Sequence, residues 1–246
     1  MARPGAEDAR RAQVVAPGDG VPPPDASRPG PLRLAVLASG RGSNLQAILD
    51  AIARRELDAR IVGVFSDRPS APALQRARDA GVHAQALAPR QFASRMAFDE
   101  ALFAAVDASR PDLVVCAGYM RLIGAAAIAP RSGRIINIHP SLLPAFKGLH
   151  THRQALAAGA AEHGASVHFV TADLDGGPVI GQARVPVLPG DDEATLAARV
   201  LAREHPLLLA TLQLFAERAV TLREDRVHFR GGATGPLQLS SNNAFA

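Results

Sequence analysis

The sequence is poor in the residues that build cross-linked and membrane-embedded proteins. Its single cysteine, Cys116, excludes an internal disulfide framework and a cysteine-based zinc site. No apolar run reaches the length of about 18 residues that a membrane-spanning helix needs, so we predict no membrane partner. The first residues also lack the apolar stretch of a secretory signal. These absences predict a soluble protein in a reducing, cytoplasmic setting.

Lysine is nearly absent, because Lys147 is the only lysine among 27 basic residues. The formal net charge is only +4, yet the isoelectric point is about 10.4. Arginine keeps its charge at high pH, so this composition raises the isoelectric point without a large positive excess. The arginines form no basic cluster along the chain, and we therefore predict no nucleic-acid partner.

The apolar content is sufficient for one large domain. Hydrophobic residues make up 48% of the 246 residues and charged residues 20%, which excludes bulk disorder. Residues 1–30 are rich in alanine, proline and glycine, and they are predicted to be a disordered extension or a misassigned start. Residues 223–246 are predicted to be a mostly disordered tail. The folded domain is therefore expected at residues 31–222.

Apolar runs of strand length alternate with segments of helical periodicity in the first part of this domain. Strands are predicted at 32–38, 61–65, 82–87, 113–117 and 134–138, with helices at 44–55, 71–80 and 98–109. This alternation is typical of an α/β protein with a Rossmann-like arrangement, in which helices cover both faces of a mostly parallel central sheet.

The later part of the domain has a different pattern. Strands are predicted at 165–171 and 178–187, and the few residues between them cannot form a crossover helix. The two strands should therefore pair antiparallel, as a C-terminal extension of the sheet. A long helix is predicted at 193–218, and Pro206 is expected to kink it or to end its first half.

A glycine-containing turn, SGRGSN at 39–44, connects the first predicted strand and helix. Such a turn presents backbone N–H groups and the positive helix end to an anion, and Ser43 and Asn44 add donors. The dinucleotide fingerprint needs a third glycine where Leu45 stands, and Asp67 alone is weak evidence for a ribose contact. The motif favours a phosphate monoester. A plain tight turn with Ser43 as helix cap is the alternative.

A second polar motif lies at the end of the strand predicted at 134–138. Strand alternation places Asn137 and His139 on the same face, where an amide and an imidazole together can stabilise an oxyanion and move a proton. Asp175 follows in a turn before two glycines and could orient His139. The alternatives are a capping or hydrogen-bonding role for Asn137 and His139, and a turn-forming role for Asp175.

The remaining reactive side chains form no recognisable catalytic or metal-binding motif. No serine or cysteine nucleophile is evident, so direct attack by an amine of the substrate fits better than a covalent enzyme intermediate. Four further histidines lie in this part of the chain, at His150, His152, His163 and His168. Their spacing is not that of a zinc-protease helix and no carboxylate cluster accompanies them, so no metal is expected.

Taken in order, the motifs resemble those of folate-dependent phosphoribosylglycinamide formyltransferases of the bacterial monofunctional type. The resemblance covers about residues 32–220. Its motifs are SGRGSN at 39–44, NIHPSLLP at 137–144, GLHTH at 148–152 and LDGGP at 174–178. The resemblance implies transfer of the formyl group of 10-formyltetrahydrofolate, the co-substrate, to the amine of glycinamide ribonucleotide in de novo purine biosynthesis, by direct amine attack through a tetrahedral intermediate.

The same resemblance implies roles for individual residues. The catalytic set is Asn137, His139 and Asp175. The ribonucleotide is bound by Gly42, Ser43, Asn44 and Glu204. The folate is bound by Arg95, Met120, Arg121, Leu122, Ile123, Asn137, Thr171, Ala172, Asp173, Leu174 and Asp175. The chain departs from many relatives at Ala172, where an acid is common, and at residues 145–147.

Three other functions share part of this pattern. A formyltetrahydrofolate hydrolase has an extra regulatory domain for which residues 1–30 are too short, although the segment at 146–148 resembles it. A methionyl-tRNA formyltransferase needs a tRNA-binding domain with a basic surface. A sensor that has lost catalysis would not need to retain Asn137, His139 and Asp175. The expected partners are small-molecule substrates, and the expected state is a monomer or homodimer.

Overall fold

The computed structural model describes residues 30–245, so the prediction for residues 1–29 lies outside the described part. The first half contains β1 (Leu32–Leu37), α1 (Ser43–Ala53), β2 (Ala59–Ser66), α2 (Pro72–Asp79), β3 (Ala84–Ala86), α3 (Arg95–Ala108), β4 (Leu113–Cys116), α4 (Ala125–Ile128) and β5 (Ile135–His139). The second half contains α5 (Thr151–Ala157), β6 (Glu162–Phe169), β7 (Val179–Pro186), α6 (Glu193–Ala216), β8 (Val220–Arg223), β9 (Arg226–Phe229) and β10 (Leu237–Gln238).

Eight of these strands form one sheet, in the order β10-β7-β6-β5-β4-β1-β2-β3. The strands from β1 to β5 pair parallel with one another. The strand β6 pairs antiparallel with both β5 and β7. The strands β8 and β9 form a separate antiparallel hairpin. The predicted fold class is confirmed, including the antiparallel pairing of the two later strands.

Apolar side chains on the two faces of the sheet form two separate cores. In β1, Leu34 and Val36 belong to the first core, while Ala35 and Leu37 belong to the second. The first core also takes in buried side chains of α1, α2, α5 and α6, and the second those of α3 and α4. The nearly continuous apolar sequence of β1 follows from this arrangement, because both faces of a central parallel strand are covered by helices.

The helix α6 contradicts one of the two alternatives expected at Pro206, the end of the helix, and leaves the other, a kink, as a prediction. Pro206 does not end the helix, which continues from Glu193 to Ala216. Leu207 and Leu208, the next two residues, are fully buried against the sheet. Proline costs the helix one hydrogen bond, but tertiary packing of the apolar face offsets this local preference.

The chain after residue 222 differs from the mostly disordered tail that the sequence predicts. Residues 226–229 form β9, and residues 237–238 form β10, which pairs parallel with the sheet edge at β7. The local composition is rich in glycine and polar residues, which hides strands this short. The unpaired edge of β7 supplies the hydrogen bonds that order β10.

Contacts beyond β10 hold the rest of this segment against α6. Arg203 of α6 donates to the side chain of Asn243 at 2.7 Å and to the carbonyl oxygen of Ser240 at 2.6 Å. The Phe245 ring lies against Gly181 of β7, where an added β carbon would be only 2.7 Å from the ring. The segment is thus an integral part of the described fold.

Candidate active site

The predicted phosphate loop, residues 39–44, is the turn between β1 and α1. Gly42 caps α1 with a φ of +74°, a conformation that favours glycine. Ser43 is therefore the first helical residue and not the cap. The Ser39 hydroxyl donates to Asp67 at 2.5 Å and accepts the Met120 N–H at 3.0 Å. Asp67 thus supports the loop, and the first N–H groups of α1 point out of its positive end.

The loop is connected to α6 through the buried side chain of Asn44 and the half-buried side chain of Glu204. The Asn44 amide nitrogen donates to the Glu204 carboxylate at 3.0 Å, and the Asn44 side-chain oxygen is buried without a hydrogen-bond partner. Burial raises the pKa of Glu204, and the hydrogen bond from Asn44 lowers it by less. The hydrogen bond therefore brings the Glu204 carboxylate next to the phosphate loop, although Glu204 and Asn44 are 160 residues apart in sequence.

Asn137 and His139 lie on the same face of β5, as strand alternation predicts. Ile136 and Ile138, which alternate with them along the strand, belong to the first core on the opposite face. The β5 strand lies two positions from β1 in the sheet, separated from it only by β4, and all three run parallel. The carboxyl ends of these strands share one edge of the sheet, which is where open α/β sheets bind ligands.

Asp175 reaches both histidines of this cluster. Its carboxylate lies 3.5 Å from Nδ1 of His139 and 3.6 Å from Nε2 of His168, and it accepts the Gly148 N–H at 2.9 Å. Burial raises the pKa of Asp175, but the neighbouring His168, the hydrogen bond from the Gly148 N–H and the nearby His139 outweigh burial, so this pKa lies below its usual value. Asp175 is therefore an anion at neutral pH.

At His139, in contrast to Asp175, burial has a larger effect on the pKa than the charged neighbour. Burial lowers the pKa of His139, and the charge of Asp175 raises it by less. Nε2 of His139 lies 3.1 Å from the carbonyl oxygen of Phe146. Because a carbonyl oxygen can only accept, Nε2 carries a proton and Nδ1, which faces Asp175, is the nitrogen that titrates.

His168 is a member of this cluster that sequence reasoning did not include. It lies opposite Asn137 across the antiparallel pair of β5 and β6, and its Nε2 is 3.2 Å from the Asn137 amide nitrogen. Its Nδ1 is 2.9 Å from the carbonyl oxygen of Phe169, which makes Nδ1 the protonated nitrogen and Nε2 the acceptor. The period-two pattern of β6 places His168 on the catalytic face, but only the strand register shows that it meets Asn137.

The predicted folate positions form an open rim on the segments that follow β4 and β6 and at the start of α3. Met120 and Leu122 are 61% and 53% exposed, and Leu174 on the other side is 50% exposed. The Arg121 guanidinium stacks over the Phe98 ring at 5.2 Å from its centre. The remaining predicted folate positions belong to the same two segments or to the start of α3, and they are Arg95, Ile123, Thr171, Ala172 and Asp173. The rim thus combines apolar surface with the exposed guanidinium of Arg95 and the half-buried guanidinium of Arg121.

The other histidines and the cysteine lie apart from this chemistry. Nδ1 of His152 is 3.1 Å from Nε2 of His163, and burial lowers the pKa of both, that of His163 to about 4. Burial raises the pKa of Cys116 to about 12, so its thiol stays protonated. Among residues 30–245, no group of three or more histidine, cysteine or acidic side chains could hold a metal ion. Within the same range, no helix is long and apolar enough to cross a membrane.

Comparisons with known proteins agree with the motifs. A model of the formyl transferase family matches residues 32–212. The phosphoribosylglycinamide formyltransferase of Escherichia coli (strain K12) is 46% identical over 205 residues, which cover 83% of this chain and 97% of that protein.

Solved structures show the same relationship. Glycinamide ribonucleotide transformylase 1 from Symbiobacterium toebii has a TM-score of 0.78 and 48% identity, covering 81% of this chain and 94% of its own. The Coxiella burnetii phosphoribosylglycinamide formyltransferase, in complex with CHES, has a TM-score of 0.79 and 43% identity, covering 87% and 98%. The resemblance read from the motifs is confirmed. The chain therefore belongs to the formyl transferase family, and the relatives named above are phosphoribosylglycinamide formyltransferases or glycinamide ribonucleotide transformylases.

Proposed function

We propose that this chain transfers the formyl group of 10-formyltetrahydrofolate to the amine of N1-(5-phospho-D-ribosyl)glycinamide. The products are the N-formyl ribonucleotide and tetrahydrofolate, and the step belongs to de novo purine biosynthesis. The observation that carries the proposal is the cluster of Asn137, His139 and Asp175 at the sheet edge that also holds the phosphate loop. The family match and the relatives support the same reaction.

The ribonucleotide is held between the phosphate loop and α6. Backbone N–H groups at residues 42–44 bind the phosphate at the positive end of α1. The half-buried carboxylate of Glu204 accepts hydrogen bonds from the glycinamide ribonucleotide, and Asn44 holds that carboxylate at 3.0 Å. The substrate amine then approaches the β5 end of the site in a fixed orientation.

The Asn137 amide stabilises the oxygen that becomes negative when the amine attacks the formyl carbon, and His139 adds a positive charge nearby once its Nδ1 has taken up a proton. One N–H of the Asn137 amide is directed to His168, which leaves the second N–H for the oxyanion. The register of β5 and β6 locks this amide in place, so it needs no reorientation during the reaction. Preorganised donors of this kind contribute mainly in the transition state.

The attacking amine must lose a proton, and the folate nitrogen that leaves must gain one. Nδ1 of His139 is unprotonated in the resting site and can take up a proton. Asp175, at 3.5 Å from Nδ1, stabilises the imidazolium that forms. His139 and Asp175 together therefore relay a proton between the two nitrogens without a covalent enzyme intermediate.

The rim residues fit a folate as the formyl donor. Exposed apolar side chains of Met120, Leu122 and Leu174 suit the flat ring systems of a folate. The guanidinium groups of Arg95 and Arg121 suit its glutamate carboxylates. No metal takes part in the proposed mechanism.

A two-substrate assay tests this function. Tetrahydrofolate formation is measured with 10-formyltetrahydrofolate and glycinamide ribonucleotide together and then with each alone. We expect turnover only with both substrates, together with a formylated ribonucleotide of the corresponding mass. Release of formate from the folate without ribonucleotide would instead indicate the hydrolase. The cytoplasmic setting and the monomeric or homodimeric state stay predictions.

A further inference from the structure

Two hydrogen bonds join the phosphate loop to α2, and a backbone carbonyl group of the loop is the acceptor in each. The Ala73 N–H donates to the carbonyl oxygen of Gly40 at 3.2 Å. Nε of Arg76 donates to the carbonyl oxygen of Arg41 at 2.8 Å. Two successive carbonyl groups of the loop are thus directed toward α2, and a side chain holds the second of them.

This arrangement sets the direction of the N–H groups that follow. In a planar trans peptide, the carbonyl of one residue and the N–H of the next point in opposite directions. The N–H groups of Arg41 and Gly42 are therefore directed away from α2, toward the side on which an anion meets the end of α1. An anion-binding concavity is built from such successive N–H groups.

Arg76 is held firmly enough to act as a clamp. Its Nη1 donates to the Gln46 side chain at 2.9 Å, and Gln46 in turn donates to Asp50 at 2.8 Å. The Arg76 stem packs beneath Gly42, since a β carbon added there would lie 3.4 Å from Cδ of Arg76. The guanidinium thus joins the loop before α1 to the first turns of α1.

A second observation points to a ligand at this loop. The Asn44 side chain is 7% exposed, and its amide oxygen has no hydrogen-bond partner in the described structure. A buried acceptor without a partner is costly, and a bound ribonucleotide removes this cost if one of its hydroxyl or N–H groups, rather than the phosphate, donates to this oxygen.

We propose that Arg76 is a positioning residue for phosphate binding, acting through the loop. Its fork-shaped guanidinium keeps the Arg41 carbonyl turned toward α2, so the Gly42 N–H stays directed at the phosphate. Its positive charge behind the loop adds attraction for a dianionic phosphate monoester. The inference rests on the proposed function, because it assumes that the ribonucleotide phosphate binds here.

Kinetics of Arg76→Met and Arg76→Lys test the inference, with Arg78→Met as the matched control. Arg78 belongs to the same helix but is exposed, and its side chain lies outside the loop contacts described above. We expect Arg76→Met to raise the KM for the ribonucleotide about tenfold while kcat and the folate KM change less than twofold, which is the signature of lost uniform binding. Arg78→Met should leave all three values within twofold.

Arg76→Lys separates positioning from charge alone. Lysine keeps the charge but cannot donate in the same fork, so the ribonucleotide KM should rise at least about fivefold. The inhibition constant for inorganic phosphate should rise in parallel in both variants. An unchanged KM in Arg76→Lys would overturn the positioning role, even if Arg76→Met fails to fold. If the wild-type protein does not turn over the ribonucleotide, the proposed function itself fails, which is a separate result.

Discussion

Replacing Asp175 by asparagine isolates the contribution of one charge to the proposed reaction. Asparagine has nearly the same shape, and its side-chain oxygen can still accept the Gly148 N–H that Asp175 accepts at 2.9 Å. The exchange removes the negative charge beside Nδ1 of His139. We therefore expect the loop to stay in place while the imidazolium formed during proton transfer loses its stabilising partner.

The size of the effect follows from the geometry. Nδ1 of His139 and the Asp175 carboxylate are 3.5 Å apart, and their side chains are only 7% and 10% exposed. Two unit charges at this distance interact by about 4.7 kcal/mol at an effective dielectric constant of about 20. About 1.4 kcal/mol corresponds to a tenfold change in rate. We therefore expect kcat to fall about 10³-fold, with both KM values changing less than threefold.

The assay is steady-state turnover measured across the pH range from about 5 to 9. Asp175 raises the pKa of His139, so its removal should also move the acidic limb of the kcat profile to lower pH. Asp58→Asn, which removes an exposed carboxylate before β2, should leave kcat and the profile unchanged. A kcat for Asp175→Asn within tenfold of wild type, with an unshifted profile, would refute the charge-based reasoning.

Three further predictions concern stability, followed by circular dichroism because the chain has no tryptophan. Gly42→Val would place a β carbon 2.8 Å from that of Ala73 at a φ of +74°, so the free energy of unfolding should fall by about 3 kcal/mol, and a urea midpoint equal to wild type would contradict this. Burial holds the pKa of His163 near 4, so between about pH 6.5 and 4 the His163 imidazole is protonated in the unfolded chain but not in the folded one. The free energy of unfolding should therefore drop by about 3 kcal/mol as the pH falls through that range. His163→Gln should flatten that dependence, and an equally steep one would exclude His163 as its source. Truncation after Pro236 removes the buried Leu239 and the Phe245 contact, so Tm should fall by roughly 6–12 °C, whereas an unchanged Tm would show that the segment does not stabilise the fold.

Much of the fold could be predicted because its signals are local. The strand and helix alternation before residue 140 depends on short continuous apolar runs and on apolar periods of about 3.6 residues, which a short window shows. The antiparallel pairing of β6 and β7 follows from the short connection between them. Local composition did not show that α6 continues through Pro206 or that residues 226–229 and 237–238 form strands, because packing against β7 and the first core competes there with local preference.

The sequence by itself determined the order of strands and helices, the glycine turn before α1 and the placement of Asn137 and His139 on one face of β5. These features depend on neighbouring residues and on backbone preferences that hold in any chain. Only the tertiary structure decided that His168 meets Asn137 and that Glu204 meets Asn44. Both contacts join residues far apart in sequence, and they follow from strand register and from the packing of α6 on the sheet. Those are properties of the whole packed core, which no local pattern contains.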